Sequence, residues 1–431
     1  MVCTLNGVVI TDDSRACEKE RFFFSDHQSG RYEQDAVAQG CKGVLTPYTI
    51  KNYLHLDGLK VIGITGTNGK TTTAALFYSM LLDLGYKVAL SGTRGFFINE
   101  KRAAEKSLTT PSLLDTLANM QRAREEGCDF FVMEVSSHGI DQKRIEGIEF
   151  ALKVHTNITG DHLDYHKTFE NYRDVKNSFL SDETPKVINK DDPHVNPNYK
   201  NAVTYAIESG ALYRIEAYSL NENRLTGVVK GIDTRAVFES SLMGTFNMYN
   251  ILAAIAGIHT LTQLPLEKIC EVVENFGGVE GRMEVVSDRP LVIVDFAHTH
   301  DGIEKAMESL ENRHIVALFG AGGNRDKTKR PKMGAAAAKY ARHIYLTSDN
   351  PRHEDPDAII ADILAGIDDR SRVTIEPDRH KALELALSKL NENEVLLVLG
   401  KGDEKFQEIG DSIHPFNDRE IILNYLKSKD S

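Results

Sequence analysis

A glycine-rich loop lies between an apolar run and a stretch of helical periodicity, and it constrains the fold more than any other feature. Residues 61–64 form the apolar run, and Gly66, Gly69 and Lys70 follow it. Glycines let a loop turn its N–H groups toward phosphate oxygens, and the N-terminus of the next helix adds positive potential. A strict Walker motif has glycine where Ile64 stands, so the loop is a compressed variant. The segment predicts a strand, a nucleotide-phosphate loop and a helix; the alternative is a helix-capping glycine turn.

Apolar runs alternate with helix-like stretches on both sides of this loop. Buried parallel strands read as continuous apolar runs, so the pattern predicts wound α/β sheets. Strands are expected at residues 7–10, 43–46, 61–64, 130–133, 291–294, 315–319, 343–346 and 395–399. Helices are expected at 70–84, 112–126 and 246–276, and a polar β-rich stretch at 186–240. We therefore predict an α/β protein with three domains: residues 1–57, 58–283 and 284–431.

Composition narrows the class of protein. The 431 residues suit about three domains, and the net charge of -12 argues against general nucleic-acid binding. The five cysteines are scattered without a CxxC pair, so we expect neither a disulfide framework nor a cysteine zinc site. The N-terminus lacks the pattern of a signal peptide, and no apolar run is long enough to span a bilayer. We expect a cytoplasmic protein without membrane insertion.

Polar residues follow the predicted strands where ligands of wound sheets bind. Lys70 would reach the β- and γ-phosphates of a nucleotide, and the Thr71 hydroxyl would take Mg²⁺. Glu134 ends the 130–133 run, where a carboxylate opens into the ligand crevice. His162 lies just beyond the next predicted strand. Taken alone, Glu134 is more often a solvated strand-end acid, His162 a structural histidine, and Lys176 a plain helix-surface lysine.

Five motifs together resemble the Mur ligase family. They are TGTNGKTT at 65–72, EVSSHG at 134–139, TNITGDHLDYH at 156–166, GRME at 281–284 and DFAHT at 295–299, in the family's order. The resemblance implies three domains: a small N-terminal α/β domain for the UDP end of the substrate, a central P-loop ATPase-like domain and a C-terminal Rossmann-like domain for the amino acid.

The resemblance also implies roles for individual residues. It implies catalytic roles for Lys70, Glu134, His162 and Lys176. ATP would bind Gly66, Thr67, Asn68, Gly69, Lys70, Thr71, Thr72, Asn247, Arg282 and Asp295. Two Mg²⁺ ions would be held by Thr71, Glu134, His162 and Lys176, with Lys176 carbamylated. Carbamylation makes chemical sense, since a neutral lysine amine captures CO₂ to become an anion, and this requires a lowered pKa.

Within the family, the chain is most similar to ligases that add the third residue of the peptidoglycan stem peptide. The implied acceptor is UDP-MurNAc-L-Ala-D-Glu, bound by Ser14, Thr109, Thr110, Ser136, Gln142 and Arg144. The motif DNPR at 349–352 accompanies meso-diaminopimelate in this family, and a guanidinium such as Arg352 suits its second carboxylate. The implied diaminopimelate site comprises Arg325, Asp349, Asn350, Arg352, Gly400 and Glu404; the alternative is a surface loop with an incidental arginine.

Several departures and alternatives stay open at this point. The region before the phosphate loop is short for the family, Asp403 stands where histidine is usual, Asn324 where aspartate is usual, and His300 where proline is usual. The nearest alternative function is an L-lysine-adding ligase of the same family. Folylpolyglutamate synthase shares the style of the phosphate loop, but EVSSHG together with DNPR argues against it. A nucleotide-controlled binding protein is the alternative from another class. We expect a monomer whose partners are small-molecule substrates.

Overall fold

The N-terminal segment folds into a small sheet. The structure, a computed structural model, describes residues 1–105, 108–221 and 224–429. Strands β1 and β2 pair antiparallel, and β2, β3 and β4 pair parallel in the order β1-β2-β3-β4. These strands are β1 Val2–Leu5, β2 Val8–Thr11, β3 Phe22–Phe24 and β4 Gly43–Leu45, with helix α1 at Glu33–Ala38. A short 3₁₀ turn, Ser14–Ala16, follows β2.

An eleven-stranded sheet occupies the centre of the chain. Its strands are β5 Lys60–Thr65, β6 Val88–Gly92, β7 Gly95–Ile98, β8 Lys101–Ala104, β9 Phe130–Glu134, β10 Leu152–His155, β11 Lys186–Asn189, β12 Ala202–Ala206, β13 Tyr213–Asn221, β14 Arg224–Lys230 and β15 Arg235–Ser240. Their order is β15-β14-β13-β12-β11-β10-β5-β9-β6-β7-β8. The run from β13 to β6 is parallel, and antiparallel strands extend the sheet at both ends. Consequently β10, β5 and β9 lie side by side, with their carboxyl ends at one edge.

Helices α2 and α7 pack together on the central sheet. A Cβ on Gly257 of α7 would lie 2.3 Å from the Phe77 ring of α2, so glycine permits this close packing. Both helices bury most of their length because Ile251, Leu252 and Ile255 of α7 join Leu76 and Phe77 in the core. The central helices are α2 Lys70–Asp83, α3 Leu113–Glu125, α4 Ser137–Asp141, α5 Leu163–His166, α6 Phe169–Phe179, α7 Thr245–Thr262 and α8 Leu266–Glu271.

A six-stranded sheet forms the core of the C-terminal part. Its strands are β16 Glu284–Asp288, β17 Leu291–Asp295, β18 His314–Phe319, β19 His343–Leu346, β20 Val373–Ile375 and β21 Glu394–Leu399, in the order β16-β17-β21-β18-β19-β20. All pairs except β16–β17 are parallel. A hairpin of β22 Phe406–Ile409 and β23 Ser412–Pro415 follows. The helices are α9 His300–Glu308, α10 Lys329–Tyr340, α11 Pro356–Leu364, α12 Arg379–Lys389 and α13 Asp418–Lys429.

The predicted α/β fold is confirmed, and the strand predictions hold within a few residues. One helical prediction was too coarse: residues 246–276 form α7, α8 and a 3₁₀ turn at Val272–Asn275, because Pro265 lies at the N-cap of α8 and lacks the N–H that a continuous helix needs. The hairpins β7–β8 and β22–β23 were not predicted. Among the helices of the described ranges, none is both long and apolar enough to cross a membrane.

Candidate active site at the carboxyl ends of the parallel strands

A cavity of about 880 Å³ lies where the central and C-terminal sheets face each other. The central part contributes the loop after β5 and residues at the ends of β9 and β10. The C-terminal part contributes the segment after β17 and side chains of α9. The predicted residues that line the cavity are Thr67, Asn68, Gly69, Lys70, Thr71, Thr72, Thr109, Glu134, His162, Asn247, Arg282, Asp295, Arg325 and Glu404. The phosphate loop and part of the predicted amino-acid site therefore open into one space.

The loop between β5 and α2 has the geometry of a phosphate site. Gly69 has φ +82° at the N-cap of α2, and a Cβ there would lie 2.4 Å from Asn250 Oδ1. At Gly66 a Cβ would lie 1.8 Å from Thr156 Oγ1. Lys70 Nζ folds over the loop and donates to the carbonyls of Gly66 and Thr67 at 2.7 and 2.8 Å. Only glycine fits at both positions, and the lysine lies where nucleotide phosphates would bind.

The predicted magnesium ligands Thr71 and Glu134 are hydrogen-bonded to each other. Thr71 Oγ1 donates to Glu134 Oε2 at 2.9 Å. Thr93, at the end of β6, donates its backbone N–H to Oε1 at 2.9 Å and its hydroxyl to Oε2 at 3.1 Å. Hydroxyl and carboxylate oxygens are the donors that Mg²⁺ prefers, so this pair fits the ion. Sequence reasoning missed Thr93, although its position at a strand end was a usable signal.

His162 belongs to a group of aromatic rings beside the loop. Its Nε2 lies 3.4 Å from Asp161 Oδ2, and its ring meets His138 edge-on at a centroid distance of 4.8 Å. Desolvation lowers the pKa of His162 to about 4, although Asp161 opposes the shift. Burial alone would raise the pKa of Asp161, but His162 and His298 hold it below its usual range. His162 is thus neutral near pH 7, which is the form that binds metals.

Lys176 is buried beneath the loop. Its side chain on α6 is 1% exposed, and Nζ donates to the carbonyl of Gly66 at 2.8 Å. Burial lowers the pKa of Lys176 well below its usual value, and Lys70 adds to the shift while Asp161 opposes it. Glu134, His162 and Lys176 do not form a complete metal cage: over residues 1–105, 108–221 and 224–429, no cluster of three or more His, Cys, Asp or Glu side chains is arranged to hold a metal ion. Phosphate and water oxygens would have to complete the coordination.

The predicted nucleotide contacts Asn247, Arg282 and Asp295 come from α7 and from the C-terminal part, and all three line the cavity. Asn247 is 2% exposed and donates to the Met243 carbonyl at 2.7 Å. The guanidinium of Arg282 lies 4.2 Å from the centroid of the Phe296 ring. Asp295 accepts the backbone N–H of Met283 at 2.8 Å. Burial raises the pKa of Asp295, and Arg282 opposes the shift.

Hydrogen bonds join the phosphate loop to helix α9 of the C-terminal part. Asp301 Oδ2 accepts the side-chain amide of Asn68 at 2.8 Å and the hydroxyl of Thr159 at 3.1 Å. Lys305 Nζ lies 3.2 Å from the same oxygen. Asp301 was not predicted, because a sequence does not show which helix will face a distant loop. The C-terminal sheet is therefore connected directly to the loop that would hold phosphate.

Most residues predicted for the UDP-MurNAc-dipeptide lie close together in the central part, whereas Ser14 lies in the N-terminal sheet region. Thr110 Oγ1 lies 3.0 Å from Ser136 Oγ, and Arg144 donates to the Thr110 carbonyl at 2.9 Å. Gln142 accepts the amide of Gln28, from the N-terminal sheet region, at 3.1 Å. Ser14 lies apart, in the 3₁₀ turn after β2. Thr109 lines the cavity, whereas Ser14, Thr110, Ser136, Gln142 and Arg144 lie outside its lining.

The predicted diaminopimelate residues meet around a buried lysine. Lys401 is fully buried, and its Nζ donates to Asn350 Oδ1 and Glu404 Oε2, both at 3.0 Å. Asn350 also donates to Glu404 at 3.0 Å. A Cβ on Gly400 would lie 2.6 Å from Asp349 Oδ2. Sequence reasoning missed Lys401, which lies between the predicted Gly400 and Glu404 and fixes the positions of two predicted ligand residues.

The two predicted arginines of this site differ in their surroundings. Arg325 is half-exposed and lies 3.7 Å from Asp164 of the central part. Arg352 lies beside the β22–β23 hairpin, where its Nε is 2.6 Å from Glu408 Oε2. Arg352, Asp349, Asn350 and Gly400, like Gly66 and Lys176, lie outside the lining of the cavity. The structure therefore brings Arg325 and Glu404 into the cavity that the phosphate loop lines and leaves Arg352 outside that lining.

The chain matches known proteins over most of its length. The model of the Mur ligase middle domain matches residues 64–258, and that of the Mur ligase glutamate ligase domain matches residues 281–402. A relative from Wolinella succinogenes, named UDP-N-acetylmuramoyl-L-alanyl-D-glutamate–2,6-diaminopimelate ligase, is 53% identical over 417 residues, covering 97% of this chain and 96% of the relative. A relative of the same name from Helicobacter hepaticus is 48% identical, covering 98% of this chain and 97% of the relative.

Solved structures agree with this assignment. A structure of a UDP-N-acetylmuramoyl-L-alanyl-D-glutamate–2,6-diaminopimelate ligase superposes with a TM-score of 0.69 at 28% identity, covering 98% of this chain and 95% of that one. Folylpolyglutamate synthase from Mycobacterium tuberculosis has a TM-score of 0.66 at 17% identity, covering 80% of this chain and 88% of that one, which shows a shared fold alone. The α/β architecture, the two family models and the near-full-length relatives lead to one conclusion: this chain belongs to the Mur ligase family.

Proposed function

We propose that this protein is an ATP-dependent ligase that joins meso-diaminopimelate to UDP-MurNAc-L-Ala-D-Glu in peptidoglycan precursor synthesis. The observation that carries the proposal is the shared cavity, into which Lys70 and Glu134 of the phosphate site and Glu404 of the amino-acid site all open. An amide ligase needs its nucleotide and its amine in one enclosed space. The names of the relatives from Wolinella succinogenes and Helicobacter hepaticus support the choice of substrates.

The first chemical step joins two anions. A carboxylate oxygen of the glutamyl residue attacks the γ-phosphorus of ATP, and the bond from that phosphorus to the bridging oxygen breaks. The products are an acyl phosphate and ADP. Lys70 lies at the loop and would neutralise charge on the phosphates as they approach the carboxylate. Burial lowers the pKa of Lys70, but Glu134 and Asp161 oppose the shift and favour its cationic form.

The second step forms the amide. The amine of diaminopimelate adds to the acyl carbon, inorganic phosphate leaves, and the amine loses a proton. Acyl phosphates hydrolyse readily, so exclusion of water is part of the chemistry. The contacts of Asp301 with Asn68 and Thr159 hold the C-terminal part against the phosphate loop. We propose that further domain closure around the bound substrates excludes water.

Magnesium would be held by Thr71 and Glu134, with His162 as a further ligand, and it supplies charge neutralisation on the phosphate oxygens. We propose that Lys176 carries a carbamate. The proposal rests on its burial and on the lowered pKa of its amine, which favours the neutral form that captures CO₂. The second magnesium ion of the proposal would require that carbamate oxygen.

The amino-acid end would recognise both ends of diaminopimelate. Glu404 would take an ammonium, and Arg352 the carboxylate that L-lysine lacks. Arg325 reaches the cavity and would contact the acceptor or the amino acid. On this assignment Ser14 serves the UDP end, and Thr109, Thr110, Ser136, Gln142 and Arg144 serve the dipeptide. We propose domain boundaries at 57/58 and 283/284, action in the cytoplasm and a monomeric state.

The deciding experiment measures ADP release from ATP and Mg²⁺ with UDP-MurNAc-L-Ala-D-Glu, comparing meso-diaminopimelate with L-lysine. We expect turnover with diaminopimelate and turnover at least about 100-fold slower with lysine, since loss of the charge-assisted hydrogen bonds between Arg352 and the second carboxylate costs about 3 kcal/mol. Turnover with L-lysine but not with diaminopimelate would show that the protein is the lysine-adding ligase. Turnover with neither amino acid would overturn the proposed function.

A further inference from the structure

The Arg352 side chain is held on two sides by the protein itself. Its Nε lies 2.6 Å from Glu408 Oε2, and its Nη1 donates to the Gly323 carbonyl at 2.9 Å. A guanidinium has five N–H donors, and these two contacts use one on Nε and one on Nη1. Neither contact involves Nη2. One N–H of Nη1 and both N–H groups of Nη2 take part in neither contact, so they stay available to a carboxylate.

Backbone hydrogen bonds also connect residues 350–352 with residues 408–410. Arg352 donates its backbone N–H to the Glu408 carbonyl at 3.0 Å, and the N–H of Glu408 goes to Asn350 Oδ1 at 3.0 Å. Gly410 returns an N–H to the Arg352 carbonyl at 2.7 Å. Arg352 itself has φ +53°, a left-handed conformation that non-glycine residues rarely adopt. The hairpin β22–β23 thus fixes the main chain as well as the side chain of Arg352.

We propose that Glu408 is a positioning residue that sets specificity for a dicarboxylic amino acid by orienting the Arg352 fork. This inference rests on the proposed role of Arg352. Both side chains are about three-quarters buried, at 23% and 31% exposed, so their ion pair is only partly screened by water. With Nε engaged by Glu408 and one N–H of Nη1 by the Gly323 carbonyl, the remaining N–H groups of Nη1 and Nη2 would bind the carboxylate. A freely rotating arginine would present several edges and lose that selectivity.

An opposite effect of Glu408 is also physically possible and makes the proposal testable. A carboxylate beside the guanidinium reduces its attraction for a second carboxylate. If that competition dominated, removing the Glu408 charge would strengthen diaminopimelate binding. If orientation dominates, removing the acceptor weakens it. Glu408→Gln separates the two effects because it keeps an oxygen acceptor and removes the charge.

The test is a double-mutant cycle in the full-length enzyme, measuring KM for meso-diaminopimelate, for ATP and for the nucleotide acceptor. We expect Glu408→Ala to raise KM for diaminopimelate roughly fivefold and to leave the other two KM values within about twofold. Glu408→Gln should stay within about twofold of the parent enzyme for all three. In an Arg352→Ala background, Glu408→Ala should have no further effect on KM for diaminopimelate, because its action passes through Arg352.

A matched control is available on the same hairpin. Asp411 is 98% exposed in the turn between β22 and β23, and its carboxylate lies 3.4 Å from His353. Asp411→Asn removes one negative charge from the hairpin without removing an Arg352 contact, so it should leave KM for diaminopimelate unchanged. Thermal unfolding of each variant shows whether the hairpin remains folded.

The outcomes separate this inference from the proposed function. A lower KM for diaminopimelate in Glu408→Ala or Glu408→Gln, or an equal effect of Glu408→Ala with and without Arg352, overturns the role of Glu408 while the ligase stands. An unchanged KM in Arg352→Ala removes Arg352 from the site and Glu408 with it. Absence of diaminopimelate-dependent turnover in the parent enzyme overturns the function itself.

Discussion

The proposed phosphate site and the proposed amino-acid site of this protein are built in different ways. The phosphate site is one continuous segment, in which Gly66, Gly69 and Lys70 act largely through backbone geometry. The amino-acid site joins residues from 349–352 to residues from 400–408 through side-chain contacts such as those of Lys401. A local motif fixes the first, and a network of charges fixes the second. Changes in the first should therefore act on chemistry, and changes in the second on the binding of one substrate.

The largest effect is expected at the phosphate site. Lys70→Ala removes the cation that lies over the loop, so kcat should fall about 10³-fold, because charge stabilisation dominates phosphoryl transfer. Steady-state ADP release measures it, with Lys51→Ala as control, since that lysine forms an exposed ion pair with Glu149. A loss under about tenfold would mean that the loop backbone alone provides the phosphate site.

An effect of intermediate size is expected at Lys176. Lys176→Arg cannot form a carbamate, and kcat should fall about 10²-fold. Carbon-13 NMR with labelled bicarbonate should show a carbamate resonance in the parent enzyme that is absent in this variant. The signal should weaken as pH falls through the lowered pKa of Lys176, because a protonated amine does not capture CO₂.

Lys186 supplies the control for that measurement. It is also fully buried, its Nζ donates to the Asp182 carbonyl at 2.9 Å, and burial lowers its pKa. Lys186→Arg should keep the carbamate resonance. Carbamylation of Lys176 is ruled out if the carbamate resonance persists in Lys176→Arg or is absent from the parent enzyme. In either case the phosphate site would depend on its loop and not on a carbamate.

The smallest of these effects is expected at Lys401. Lys401→Met removes the common donor of Asn350 and Glu404, so KM for diaminopimelate should rise roughly tenfold while kcat changes less than about threefold. Lys339→Met, which breaks an exposed pair with Glu304, is the control. A fall in kcat comparable to that of Lys70→Ala would remove the distinction between the two regions.

The fold and the phosphate site were predictable to different degrees. Continuous apolar runs identified the parallel strands because burial on both faces favours apolar residues, as in residues 395–399 of β21. The loop was predictable because its chemistry requires glycine at fixed spacing. The two-residue connections of β7–β8 and β22–β23 gave no comparable signal, since short edge strands such as Ser412–Pro415 are exposed and carry no apolar pattern.

Contacts between distant segments set the limit of sequence reasoning at the site. Four residues that were not predicted contact predicted ones, and they come from different segments of the chain: Thr93, Asp301, Lys401 and Glu408. A lysine within GKG at 400–402 looks like a surface residue until the fold buries it. Resemblance to the family supplied the roles of Arg352 and Lys176, and the structure supplied their neighbours.

The hydrogen bonds that Asp301 accepts from Asn68 and Thr159 have a consequence for the end of the reaction cycle. Each joins a neutral donor to a carboxylate oxygen that water can also solvate, and each contributes about 2 kcal/mol. Water can therefore replace these contacts between the central and C-terminal parts at modest cost once phosphate and ADP have formed. The geometry that keeps water away from a reactive acyl group is also one that lets the finished tripeptide precursor depart.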